Sequence, residues 1–123
     1  MSTKILLFFI FLNTSLLSIC QTDTVFIYYE NGNIKEKYQV YIENEDSVKN
    51  GLYFFYFKNG SVYQTGRYNN NKLEGIWEIY YPNGRLKNKI NFLHNERNGQ
   101  FKEYFNSGPV SKIGNYKNGE LDG

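Results

Sequence analysis

The chain has 123 residues, enough for one domain, and its formal net charge of +2 sets up no field that would make nucleic acid or an anionic membrane the default partner. Aromatic residues make up 19% of it, with Tyr 12 and Phe 10, while alanine, the best helix former, is absent. That balance points to strand, because aromatic rings suit a pleated, half-buried surface.

Residues 1–20 read as a secretory signal peptide. Lys4 supplies the positive n-region, Ile5 to Leu12 form an apolar run too short to span a bilayer, and Ser18 and Cys20 suit the −3 and −1 positions. Cleavage is expected before Gln21, leaving residues 21–123 as an exported domain: periplasmic, at the cell surface or secreted. The stretch Leu17-Ser18-Ile19-Cys20 also looks like a bacterial lipobox, which would anchor the domain through lipid on Cys20, although Ile19 departs from the small residue usual there. Either way the only cysteine is used before the domain begins, so no disulfide supports it.

From Tyr28 onwards one phrase recurs four times: YYENGNI, YFKNGSV, YYPNGRL and YFNSGPV, starting at Tyr28, Tyr56, Tyr80 and Tyr104. Turn glycines fall at Gly32, Gly60, Gly84 and Gly108, and a second series at Gly51, Gly75, Gly99 and Gly123 keeps a period of 24. A fixed period in this range marks a repeat architecture, each unit one supersecondary element stacked on the next. Asn31-Gly32, Asn59-Gly60 and Asn83-Gly84, flanked by alternating apolar residues, predict β-hairpins closed by two-residue type I′ turns. The fourth turn, at Ser107-Gly108, is expected to be looser, because Pro109 has no N–H with which to close it.

Placing the turns there fixes a register. In the third copy Tyr81 faces Leu86, Ile79 faces Asn88 and Trp77 faces Ile90; on the other side Tyr80 faces Lys87 and Glu78 faces Lys89, a favourable opposite-charge pair. Tyr53 then lies across from Gly66 and Phe101 across from Gly114, so that a ring covers the backbone each glycine exposes. Two faces follow from the alternation of side chains. The core face carries Val25, Ile27, Tyr29, Ile34, Tyr53, Phe55, Phe57, Val62, Trp77, Ile79, Tyr81, Leu86, Ile90, Phe101, Phe105 and Val110. The other carries Tyr28, Tyr56, Tyr80 and Tyr104 among Lys35, Lys37, Arg67, Lys87, Lys89 and Lys102. Polar connectors at 69–75 and 94–99, and a longer one at 42–50, join the hairpins. The prediction is an all-β fold: an elongated antiparallel meander of eight strands in four stacked hairpins.

The unit Y-Y-x-N-G-x-L followed by Y-x-N-G-x-x-x-G-x-W-x-x-Y resembles the MORN repeat, in its bacterial MORN-variant form, and the resemblance covers Tyr28 to Gly123. It implies an elongated, twisted sheet of stacked hairpins. Bacterial proteins of this kind are often described as antitoxin components of toxin–antitoxin systems. MORN proteins elsewhere have been linked to phospholipid contact. Here the long first connector and Pro109 depart from the pattern, and the chain stops at Leu121-Asp122-Gly123, where another aromatic strand would begin.

Catalysis has little to stand on. His94, the single histidine, falls in a polar connector, and no cysteine–histidine set has metal-ligand spacing. No serine sits in a nucleophile elbow. Glu43, Glu45 and Asp46 lack the spacing of a calcium loop. The expectation is a non-enzyme without a cofactor. Its candidate binding residues are the ladder Tyr28, Tyr56, Tyr80 and Tyr104 with Lys35, Lys87 and Lys89. Such rings shield backbone hydrogen bonds on a single-layer sheet, and equally offer a rigid amphipathic surface to a sugar, peptide or protein. An uncovered core face and an open edge at Val110 to Tyr116, softened by Lys112 and Lys117, add the expectation of a protein partner or homo-oligomer.

Overall fold

The computed structural model describes residues 4–7 and 21–122. They form one antiparallel sheet of ten strands in chain order, and no helix occurs among them. The strands are β1 (Lys4–Leu7), β2 (Thr22–Tyr28), β3 (Ile34–Glu43), β4 (Asp46–Tyr56), β5 (Val62–Asn69), β6 (Lys72–Tyr80), β7 (Leu86–Leu93), β8 (Glu96–Tyr104), β9 (Val110–Lys117) and β10 (Glu120–Leu121). Strands β2 to β9 are the eight expected from the repeats. Strand β1, inside the segment read as a signal peptide, pairs with β2 from Lys4 opposite Tyr28 to Leu7 opposite Val25. Cys20 and Gly123 lie outside the described residues.

The Asn-Gly turns have a different geometry from the one expected. The Tyr29 carbonyl accepts from the Gly32 N–H at 3.0 Å, and the Tyr29 N–H donates to the Asn33 carbonyl at 2.8 Å, so the loop has three residues and not two. The same pair of bonds closes the turns after Phe57, Tyr81 and Phe105. Only the glycine enters the left-handed region, Gly32 at φ 89° and Gly84 at 87°, as in a type I turn completed by a glycine bulge. The longer loop slides the register by one. A second bulge, with Lys35, Tyr63, Lys87 or Ser111 as the extra residue, slides it back. Tyr80 is therefore opposite Leu86, where Lys87 was expected, whereas Ile79–Asn88, Glu78–Lys89 and Trp77–Ile90 pair as read from the sequence. Two-residue turns with both central residues at positive φ do occur, but in the connectors, at Asn44-Glu45, Asn70-Asn71, His94-Asn95 and Asn118-Gly119.

Three of the four connector turns are tied to the strand two before them in the sheet, β4, β6 and β8. The Asn71 N–H donates to the Lys49 carbonyl at 2.8 Å, the Asn95 N–H to Leu73 at 3.0 Å and the Gly119 N–H to Arg97 at 3.0 Å. Asn71 and Asn95 return the bond through Oδ1, accepting from the N–H groups of Lys49 and Leu73. The four-residue insertion makes no loop. It lengthens β3 to 10 residues and β4 to 11, so the Asn44-Glu45 tip projects about 7 Å beyond the other connector turns, two more residue pairs at the rise of a strand.

Burial comes from rings laid on a single layer. Trp77, 3% exposed, is the most buried aromatic, followed by Phe101 and Tyr53, with Val25 and Val40 completing the buried set. The indole lies flat on Gly66: a Cβ there would sit 2.0 Å from the ring. Gly66 is thus covered from β6 and not by its own partner Tyr53, whose ring lies tilted against Trp77 at 5.4 Å instead. Gly114 is covered by Phe101, as the sequence predicts. Tyr68 meets Trp77 edge-on at 5.2 Å and Phe92 does so at 6.4 Å. Among these rings the indole N–H has no acceptor. The Lys49 ammonium caps the cluster, 4.7 Å from the Tyr38 ring and 5.1 Å from that of Tyr68. Phe105 and Val110, assigned to the core face, are exposed, since they lie in the last full hairpin, beside a β10 of two residues.

Trp77→Ala is expected to lower stability by about 3–5 kcal/mol in urea denaturation, the range for a fully buried large ring. Gly66→Ala, with no space for its methyl, should also destabilise while leaving the turns intact. Burial raises the pKa of Tyr38, Tyr53 and Tyr68, and the Glu36 carboxylate adds to it, accepting from the Tyr53 hydroxyl at 2.7 Å. A raised folded pKa means that the unfolded chain loses its protons first, so this stability is intact below about pH 10 and lost above it. A urea midpoint that does not fall between about pH 9 and pH 11 would contradict that. The fourth turn is not looser in the way expected. The N–H of the residue after glycine contributes no ladder bond in any copy; the N–H groups of Asn33, Ser61 and Arg85 donate only to the side chains of Asn31, Asn59 and Asn83. Where Pro109 lacks that N–H, Ser107 replaces the asparagine. Amide exchange at Phe105 should therefore match that at Tyr81, and much faster exchange at Phe105 would restore the looser turn.

Candidate binding face

On the face opposite Trp77, cross-strand pairing sets one continuous row: Phe26, Lys37, Phe54, Thr65, Glu78, Lys89, Lys102 and Ile113, one residue from each of β2 to β9. Two residues further along β2, β4, β6 and β8 stand Tyr28, Tyr56, Tyr80 and Tyr104, all half-buried. The ladder is therefore real, with one ring on every second strand. In the first half of the face it is aromatic in depth: Tyr28 stacks on Phe26 at 6.4 Å and Tyr56 on Phe54 at 6.1 Å. The Lys37 ammonium lies between the two phenylalanines, 5.9 Å from one ring and 5.5 Å from the other.

The second half is polar. Burial raises the pKa of the Tyr80 hydroxyl, and Glu78 raises it further by charge and hydrogen bonding, while a hydrogen bond with Thr65 works the other way. Burial raises Tyr56 as well. These phenols stay neutral and keep an O–H to donate near neutral pH. Beyond Glu78 the row turns cationic at Lys89 and Lys102.

The sequence-derived site residues divide between the two faces. The four tyrosines and Lys89 share this one. Lys35 and Lys87 do not, because they are the extra residues of the second bulges. Their ammonium groups lie over Tyr29 at 5.8 Å and Tyr81 at 5.6 Å, rings on the Trp77 face. Tyr63, at the same repeat position, packs edge-on against Phe57 at 5.0 Å in the same way. Straight alternation from the turn sends Lys35 and Lys87 to the wrong side; the bulge turns them over.

Several residues of the face were not among the candidates. Leu52, Ile76 and Ile113 are exposed on it, Ile76 at 53%. Two shallow depressions run between hairpins, one over Leu52, Phe54, Thr65 and Arg67, the other over Ile76, Lys89, Asn91, Gln100 and Lys102. The available signal was the second glycine series: Gly51, Gly75 and Gly99 all have positive φ and sit in register shifts. Counting backwards from the tyrosines, and not forwards from those glycines, puts Leu52 and Ile76 on this face. His94 sits in the β7–β8 turn, its Nδ1 3.7 Å from the Glu74 carboxylate and mostly exposed. Among the described residues no three His, Cys, Asp or Glu side chains converge as metal ligands.

A family model described as the MORN repeat variant matches residues 24–42, 49–70, 73–94 and 97–118. Each match is one hairpin, from β2–β3 to β8–β9. No curated protein and no solved structure matches the chain. Repeats of this type are generally associated with binding to protein or membrane lipid, and generally serve as non-catalytic modules. Four consecutive matches in register with the four hairpins span more than half of the residues, and the chain belongs to the MORN repeat variant family.

Proposed function

We propose that this chain is an exported, non-catalytic binding module that holds a protein partner on the face bearing Tyr28, Tyr56, Tyr80 and Tyr104. The observation that carries the reading is the row from Phe26 to Ile113. It runs unbroken across eight strands, mixes aromatic, aliphatic and charged groups, and leaves Ile76 and Ile113 uncovered. Rigid rings with polar tips on a pre-formed sheet bind at little entropic cost, as interfaces rich in tyrosine do. The order Lys4, apolar Ile5 to Leu12, then Ser18 and Cys20 supports export, with Gln21 as the mature N-terminus or Cys20 as a lipid anchor.

Photo-crosslinkers placed at Tyr56 and Tyr104 are expected to capture one discrete protein in the producing cell, while the same probe at Lys112 on the opposite face does not. Tyr56→Ala combined with Tyr104→Ala should weaken retention of that protein about tenfold or more, leaving the circular dichroism of the sheet unchanged. Equal capture from both faces would dismiss this surface as the site. Intact mass of the protein from fractionated cells is expected to begin at Gln21 or lipidated Cys20. An unprocessed chain confined to the cytoplasm would contradict export.

A further inference from the structure

The sheet contains two cross-strand pairs of like charge, and they are of opposite sign. Lys89 and Lys102 are directly opposite each other on β7 and β8. Glu43 and Asp46 are directly opposite each other at the head of the β3–β4 hairpin, with Glu45 in the turn between them. Like charges in that position repel and destabilise a sheet. The acidic pair has no cation paired with it among the described residues, and in the basic pair Glu78 stands opposite Lys89 while Lys102 faces Ile113 and keeps an uncompensated charge. Among the described residues the two lysines have no ion-pair or hydrogen-bond partner, and neither do the three carboxylates.

From this complementarity we infer that a second copy of the chain seats its acidic β3–β4 tip in the depression over Lys89 and Lys102. The proposal deepens the binding-face reading and rests on it, since the depression belongs to that face. Three features favour the second copy as occupant. The tip is the connector turn that projects, because the insertion extends β3 and β4 and nothing else. The two carboxylates and the two ammonium groups are carried by the same kind of cross-strand pair, so their spacings match at about 4.5–5.5 Å between Cβ atoms. An exposed apolar residue, Ile76, lines the depression and offers the tip an apolar contact. Gln100 and Asn91 line the same depression and offer amide groups to the tip backbone.

Tip and depression lie on different parts of the molecule, so the contact is head-to-tail and propagates from copy to copy. It joins exposed carboxylates to half-buried lysines at the surface of the sheet, which makes it weak and salt-sensitive.

Sedimentation velocity of the purified protein tests this. In low salt, about 0.05 M, the average mass should rise with concentration, and about 0.5 M salt should return the protein to monomer. The double variants Lys89→Glu/Lys102→Glu and Glu43→Lys/Asp46→Lys should each be monomeric alone and reassociate when mixed in equal amounts, because the exchanged charges again match. Circular dichroism of each variant checks that the sheet is intact. A wild-type monomer at every concentration in low salt would overturn the proposal, as would association untouched by either double variant. Poly-glutamate separates the two readings. If a monomeric wild type binds it and Lys89→Glu/Lys102→Glu does not, the face stands and self-association falls. If nothing binds at this depression, the face loses its cationic half as well.

Discussion

A large ring on a single-layer sheet has no second layer to bury it, and in this chain glycine supplies the room. The indole of Trp77 reaches back from β6 onto Gly66 of β5, where any side chain would collide with it. Tyr53, Tyr68 and Phe92 then close around the indole, and Lys49 and Glu36 finish the polar rim. Phe101 on Gly114 repeats the contact at the far end of the array. The long-range packing of the molecule is therefore carried by rings crossing from one strand to its neighbour. This is the nearest-neighbour stability expected of repeat proteins.

That packing works only if the ring and the glycine meet in register, which the Asn70-Asn71 turn and the shift at Gly75 set for Trp77 on Gly66, and the fourth hairpin with its bulge sets for Phe101 on Gly114. A three-residue loop in each Asn-Gly turn and a one-residue bulge a few positions later cancel, so the pairs around Trp77 are the same as in a simple two-residue hairpin. Between the two irregularities the faces are exchanged locally. Lys35, Tyr63 and Lys87 are turned to the Trp77 side, where they cover Tyr29, Phe57 and Tyr81. The opposite face is cleared for the tyrosine ladder and the row from Phe26 to Ile113. Packing on one side and the candidate binding surface on the other are consequences of one register.

Much of this was legible in the sequence because glycine and the large aromatics have few alternative roles. The double glycine period announced four hairpins, and the register placed Trp77 on the core face of the third, opposite Ile90. What escaped was the local geometry of the turns. Asn-Gly suits a type I′ turn and a type I turn with a glycine bulge about equally, and the choice between them depends on which bulge follows. That choice decides the side on which Lys35 and Lys87 emerge. Val40 escaped for another reason: the insertion that follows it reads as a polar loop, whereas the chain uses it to extend β3 and β4. The acidic tip reads as a loop composition, and the pairing of Glu43 with Asp46, like that of Lys89 with Lys102, is visible only once the strands are paired.

The contact between Trp77 and Gly66 can be observed directly by nuclear magnetic resonance. An indole lying flat on a glycine throws its ring current onto the glycine Hα protons. The account predicts that both Gly66 Hα resonances move strongly upfield and return to ordinary sheet values in Trp77→Leu, while those of Gly114 stay shifted by Phe101. Gly66 protons at ordinary values in the folded wild-type protein would contradict it, since Trp77 would then be buried by something other than the glycine of the preceding strand.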